Sequence, residues 1–419
     1  MTALGSTFAR RWRPLFTNRP FMVLWSARTL SWFGNAMAPM ALGFAVLDAI
    51  GGVASLSAVI VARSVPNLLL VLFGGALADR SIRRRVMMWS AFVSAVSQFV
   101  CAWVFLSGHA TLPLLLALSV VNGSSAALAG PASDALLRLV VPDQQLRDAG
   151  AFARFGMDMA LLTGTGIGGV LIATFGPATT LMIDAGTFLF AGIMYACLPE
   201  PPTTTDSSSG MWRSLREGLT HVLASRWIAG CVLVTWVYMS CFACGIQVLA
   251  LIVADDTFGR AGLGLANAFQ IAGSITGIMV FTLMKDRVRL STAVAAMGCS
   301  LAAPLGVLAF GAANQPPTAG LLMPMSMAML VAGVIGQVAA SVQSVTLQRK
   351  VPSDRIGRVG SYSALASLGG IAAGEILAAP LAAGLGVAGG LALLAGLAIA
   401  VSVAVALLPS VRIIDSAAD

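Results

Sequence analysis

Charge is what this chain has least of. Asp, Glu, Lys and Arg make up 10% of its 419 residues, against roughly 25% in a soluble globular domain. So few charges cannot solvate an ordinary surface, which excludes a soluble domain. Lysine is nearly missing: of 25 basic residues only Lys285 and Lys350 are lysine. The two histidines, His109 and His221, fall in loops with no ligand spacing around them. The six cysteines, Cys101, Cys197, Cys231, Cys241, Cys244 and Cys299, all lie in apolar runs. Cys241 and Cys244 have the spacing of a redox or metal pair but no second pair, so they read as small buried hydrophobes. There is no metal site, no phosphate-binding glycine loop and no nucleophile elbow. No cofactor is expected. An intramembrane enzyme would need paired acids or a serine–histidine constellation at membrane depth, and neither is found.

What remains is apolar. The chain is 58% hydrophobic with a mean hydropathy of +0.89. Runs of about 20 apolar residues, each long enough to cross a bilayer as a helix, fall near 21–47, 55–78, 86–107, 113–136, 156–174 and 179–198. A second set falls near 227–253, 262–284, 291–311, 319–345, 360–383 and 387–409. The expected fold class is an all-α membrane protein of twelve transmembrane helices. Arg10, Arg11, Arg13 and Arg19 precede a first run too long for a signal-peptide core.

A net charge of +8 suggests nucleic acid until its placement is read. Twenty-two of the 25 basic residues fall before the first run, in alternate loops, or in the tail. Arg260 alone sits on the other side, and Arg28 and Arg63 lie within runs. That is a positive-inside pattern. It places both termini in the cytoplasm and removes the nucleic-acid reading.

The chain also repeats. LRLVVPDQQLRDAG (137–150) and LQRKVPSDRIGRVG (347–360) share Val-Pro and a final Gly at an offset of 210. Asp79-Arg80 is echoed by Asp286-Arg287 at 207. Two six-helix halves related by an axis along the membrane normal explain both. The expected units are 1–198 and 227–419. Between them, 199–226 combines a flexible linker, PEPPTTTDSSSG, with an amphipathic surface helix from Trp212.

The loop GALADRSIRRR, Gly75 to Arg85, resembles the loop between the second and third helices of the major facilitator superfamily. The stretches FMVLWSARTLSWFGNAM, GPASDALLRLVVPDQQLRDAG and LREGL are similar to the branch containing enterobactin exporters and macrolide efflux proteins. Thr165 and Ser119 stand where proton-coupled drug exporters carry a proline and an arginine. The resemblance implies two pseudo-symmetric six-helix bundles in a bacterial inner membrane, working as a monomer. It implies efflux of an amphipathic small molecule such as a drug, antibiotic or siderophore-like metabolite, exchanged for protons by alternating access. Its partners are then a small-molecule substrate, protons and membrane lipids. A facilitator or uptake carrier without proton coupling is the alternative. A receptor or scaffold would more naturally carry a large soluble domain.

Charges within a membrane are costly and usually hold a partner or a task. Arg28, Asp134 and Asp158 lie at similar depth and would form one inner cluster, unless each snorkels to the headgroups. Asp79 is expected to cap the eleventh helix near Gly360 and Ser361 as an inner gate. Asp184, in the sixth run, reads as a structural hydrogen-bonding group. Arg63 and Glu375 each lie roughly 12–13 Å below the outer surface at 1.5 Å per residue. The second and eleventh helices of the superfamily meet along the seam between halves, so these two are expected to pair across it and to release when Glu375 is protonated. The superfamily lines its cavity with the first, fourth, seventh and tenth helices. Here those offer Trp32, Asn35, Met40, Asn122, Trp236, Tyr238, Phe242, Gln247 and Gln337, a set that suits a large, mostly apolar ligand.

Overall fold

A computed structural model describes residues 14–78, 83–198, 225–284, 288–314, 319–351 and 353–416. Asp79, the linker and nearly all of the expected surface helix lie outside those residues. Among the described residues there is no strand. The long helices are α1 (Arg19–Ala49), α2 (Val53–Ala78), α3 (Arg83–Leu106), α4 (Leu112–Val140), α5 (Leu146–Phe175), α6 (Pro177–Ala196), α7 (Arg226–Asp256), α8 (Gly259–Met284), α9 (Leu290–Ala313) and α10 (Leu322–Lys350). A long helical stretch, Ser353–Ala406, follows.

Among the described residues eleven helices are long and apolar enough to span a bilayer. The last span, Val359–Ala406, has 48 residues, twice what a hydrocarbon core of ~30 Å needs. It is broken at Gly386, where φ is 70° and ψ 167°. That conformation excludes side chains with a Cβ at little cost to glycine. We therefore count α11 as 353–385 and α12 as 387–406. A short amphipathic helix, α13 (Pro409–Ser416), closes the chain. The α5–α6 corner has the same logic: Gly176 at φ 84° ends one helix and Pro177 starts the next. In α9, Pro304 lacks an N–H for residue 300, and the helix is interrupted between Cys299 and Ala302. In α7 the segment Ala243–Leu249 is a π-turn, a feature that often marks functional helices.

The two sets of six helices pack alike. In the first, α1 lies against α5 and α6, α2 against α4, and α3 against α4 and α6. In the second, α7 lies against α11 and α12, and α8 against α10. Small residues let these backbones touch, as membrane packing requires. A Cβ on Gly123 would overlap the main-chain carbonyl of Arg63, and one on Gly333 the carbonyl of Gln270. The two glycines are 210 residues apart and their partners 207, the offsets already seen in the loops. The sets meet along two seams, α5 with α8 and α2 with α11. At the first seam Gly169 faces Gly264; at the second Ser57 donates to the main-chain carbonyl of Glu375. These seams are also equivalent by position, Gly169 with Glu375 and Gly264 with Ser57, at offsets of 206 and 207. Both seams close on the half of the molecule away from the arginine-rich loops.

Candidate functional site

Several buried polar groups gather around Arg63 of α2. Its Nη2 donates to Asn35 Oδ1 of α1 at 2.7 Å. A small cavity beside it, about 10 Å³, is lined by Leu42, Arg63, Gln98, Leu118, Ser119 and Asn122, which is room for about one water. Gln98 of α3 turns its Nε2 onto Asp184 Oδ2 of α6 at 2.6 Å. Asn122 of α4 donates to Ser97 Oγ at 3.3 Å. Asp184 is fully buried and Glu375 nearly so, and both carboxylates act electrostatically on Arg63. Close packing fixes the arginine: Gly123 lets α4 press directly on its main-chain carbonyl.

The expected pairing of Arg63 with Glu375 takes a different form. Among the described residues the two make no direct ion pair: Asn35 occupies the guanidinium, and the Ser64 hydroxyl bonds the Glu375 side chain. They are neighbours in one chamber rather than a bridge. Of the proposed inner cluster, Asp158 pairs with Arg154 one turn back on its own helix, at 3.1 Å. Arg28 lies near Tyr195, and the Asp134 side chain falls outside the described residues.

The expected substrate-lining residues divide. Asn35 and Asn122 belong to the Arg63 chamber. Tyr238 and Phe242 stack in parallel on α7, centroids 6.5 Å apart, and Tyr238 reaches Gly336 of α10. Trp32 and Trp236 are exposed. Gln247 sits in the π-turn of α7. Met40 is packed into the core. Gln337 lies over Gly277 of α8 and donates to Ser341 at 3.3 Å. A larger cavity, about 350 Å³, opens between α7, α9 and α12 beside Asp256, Thr257 and Asn314, away from the chamber.

One charged group was not anticipated as part of any site. Arg260 opens α8 at the end away from the arginine-rich loops. It holds both oxygens of Asp48 on α1, at 2.6 and 2.8 Å, and both of Asp255 on α7, at 2.8 and 2.9 Å. Its guanidinium also lies 4.7 Å over the Phe44 ring. Its sequence signal was its isolation as the single basic residue on its side of the membrane. Exposed pairs of this kind contribute up to about 1 kcal/mol, roughly a fivefold bias. Arg260→Ala is therefore expected to raise thiol labelling of a seam reporter, Ala268→Cys, about fivefold; unchanged labelling would make the clamp a surface ornament.

The comparisons with known proteins agree with this architecture. A family model described as transmembrane secretion effector matches residues 9–419. The multidrug efflux pump Tap of Mycobacterium tuberculosis is 27% identical over 393 residues, 87% of this chain and 88% of the relative. Macrolide efflux protein A of Streptococcus pyogenes is 22% identical over 88% of this chain and 90% of its own. A Bacillus subtilis transporter described only as of the major facilitator type is 22% identical over 52% of this chain and 53% of its own. The crystal structure of the nucleoside transporter NupG superposes with a TM-score of 0.75 at 13% identity, covering 92% of this chain and 98% of that one. A twelve-run helical chain with two equivalent seams, matched over its length by that model, belongs to the transmembrane secretion effector family of major facilitator transporters.

Proposed function

We propose that the protein exports an amphipathic small molecule from the cytoplasm in exchange for protons, by alternating access across a bacterial inner membrane. The observation that carries this reading is the buried chamber at the α2–α11 seam, where one arginine lies within electrostatic reach of a carboxylate from each half. A membrane protein retains such charges at considerable cost, and at a seam their state of protonation bears on whether the halves stay together. The similarity to efflux pumps supplies the direction. The substrate is expected between the halves, against the aromatic wall of Trp236, Tyr238 and Phe242 with Trp32 opposite. Adaptable aromatic and amide groups suit a bulky, mostly apolar ligand. On this reading both termini are cytoplasmic, as the arginine distribution favours, and the seams and the Arg260 clamp then close the outer side. Asp79 is assigned to the inner gate, with 1–198 and 227–419 as the moving units joined through 199–226 and the whole acting as a monomer.

The test is transport of ethidium and of a macrolide in proteoliposomes under an imposed pH gradient. Export into the acidic compartment, abolished by an uncoupler, is the expected result. Movement indifferent to the gradient would leave a facilitator.

A further inference from the structure

Two acids act on Arg63, Asp184 from the first half and Glu375 from the second, and their surroundings are alike in one respect. Oδ1 of Asp184 and Oε2 of Glu375 are buried and have no hydrogen-bond partner among the described residues. Buried acceptors are seldom left in this way when ionised, because each then loses its hydration without replacement. The charge count gives the same result. Arg63 is the cation acting on both acids, so two ionised carboxylates would leave the chamber one negative charge in excess. One proton restores neutrality, and the Cys101 thiol is the remaining titratable group beside Arg63.

Packing does not explain either acid. At the equivalent seam the position of Glu375 is held by Gly169, and that seam closes glycine on glycine. Glu375 is thus an addition to a joint that works without it. Asp184 is accommodated by an omission: a Cβ on Gly34 of α1 would collide with its Oδ1 and with Thr187, so α1 forgoes a side chain where the carboxylate enters. Gln98 connects the Asp184 carboxylate to the water-sized space beside Arg63. Ser64, next to Arg63 in sequence, bonds the Glu375 side chain.

We propose that Asp184 and Glu375 share a single exchangeable proton around Arg63, Asp184 being the proton site of the first half of the molecule. When the proton leaves Glu375 for Asp184, the glutamate gains the negative charge that the aspartate gives up. Arg63 keeps its charge and turns toward whichever acid is ionised. The seam is charge-paired in one state and released in the other. This deepens the proton-exchange reading and rests on it for its role in transport.

The experiment counts protonated carboxyl groups by infrared spectroscopy of the purified full-length protein at neutral pH. It reads the C=O stretch of the protonated acid and its shift in heavy water, and needs neither substrate nor gradient. The wild type is expected to show one protonated buried acid per molecule. Asp184→Asn and Glu375→Gln are each expected to remove the whole signal, since the remaining acid is then balanced by Arg63. Arg63→Gln is expected to double it. Loss of the signal in one neutral variant with full retention in the other would fix the proton on one residue and overturn the sharing. No signal in the wild type would overturn the site altogether. Because the readout is independent of transport, failure of gradient-driven export would leave this result standing, and the reverse.

Discussion

Replacing Arg63 with alanine should be the most damaging single change in the chamber, and replacing Glu375 as well should restore part of what is lost. Removing one member of a buried charged set costs about 3–5 kcal/mol, because the partner is left uncompensated. Arg63→Ala strands two acids, whereas Glu375→Ala leaves Arg63 with Asp184. The first should therefore abolish gradient-driven transport and lower the unfolding temperature in detergent strongly, the second less so. The double variant should recover stability but not transport, with an interaction between the two sites of about 0.5–3 kcal/mol. Glu375→Gln should favour the form open to the outside. Simple additivity in the double-mutant cycle would remove these residues from a common mechanism.

Gly123→Val should be nearly as severe, for a mechanical reason. Its Cβ would overlap the main-chain carbonyl of Arg63, and a helix carbonyl cannot rotate aside as a side chain does. Overpacking typically costs about 1–3 kcal/mol, and this contact should reach the top of that range, because α2 and α4 must separate along their length. Gly333→Val should behave alike through Gln270. Gly186→Ala is the control: nothing lies near its added methyl group, and alanine is the better helix former by about 1 kcal/mol. Fluorescence-detected size exclusion after heating would rank the three. Equal tolerance of Val at 123 and Ala at 186 would show that α2 and α4 do not pack as described.

What could be read in the sequence follows from the strength of each signal. Long apolar runs are written residue by residue, so the helices were legible, and the repeated Val-Pro and Asp-Arg loops carried the offset that later matched Gly123 to Gly333. The depth of Arg63 and Glu375 followed from counting along helices. Their partners did not, because Asn35 and Ser64 look like any polar residue in a span until rotation about each helix axis is known. For the same reason the link from Asp184 to Gln98, 86 residues away, left no trace in spacing. Asp79, legible as a motif, lies outside the described residues. Arg260 was visible as an exception to a rule, but its acidic partners on α1 and α7 required the fold.

Synthesis reaches α9 before α13, and one contact of α9 must wait for α13. Asp415 accepts from the main-chain N–H of Leu290 at 2.7 Å and of Ser291 at 3.2 Å, supplying the first turn of α9 with the cap that its own sequence lacks. At ribosomal rates of ~5–20 residues per second, the 125 residues between them take roughly 6–25 s to appear. During that interval α9 stands in the bilayer with its starting amides still open. The arrival of α13, rather than insertion of the helix, completes the cap of α9.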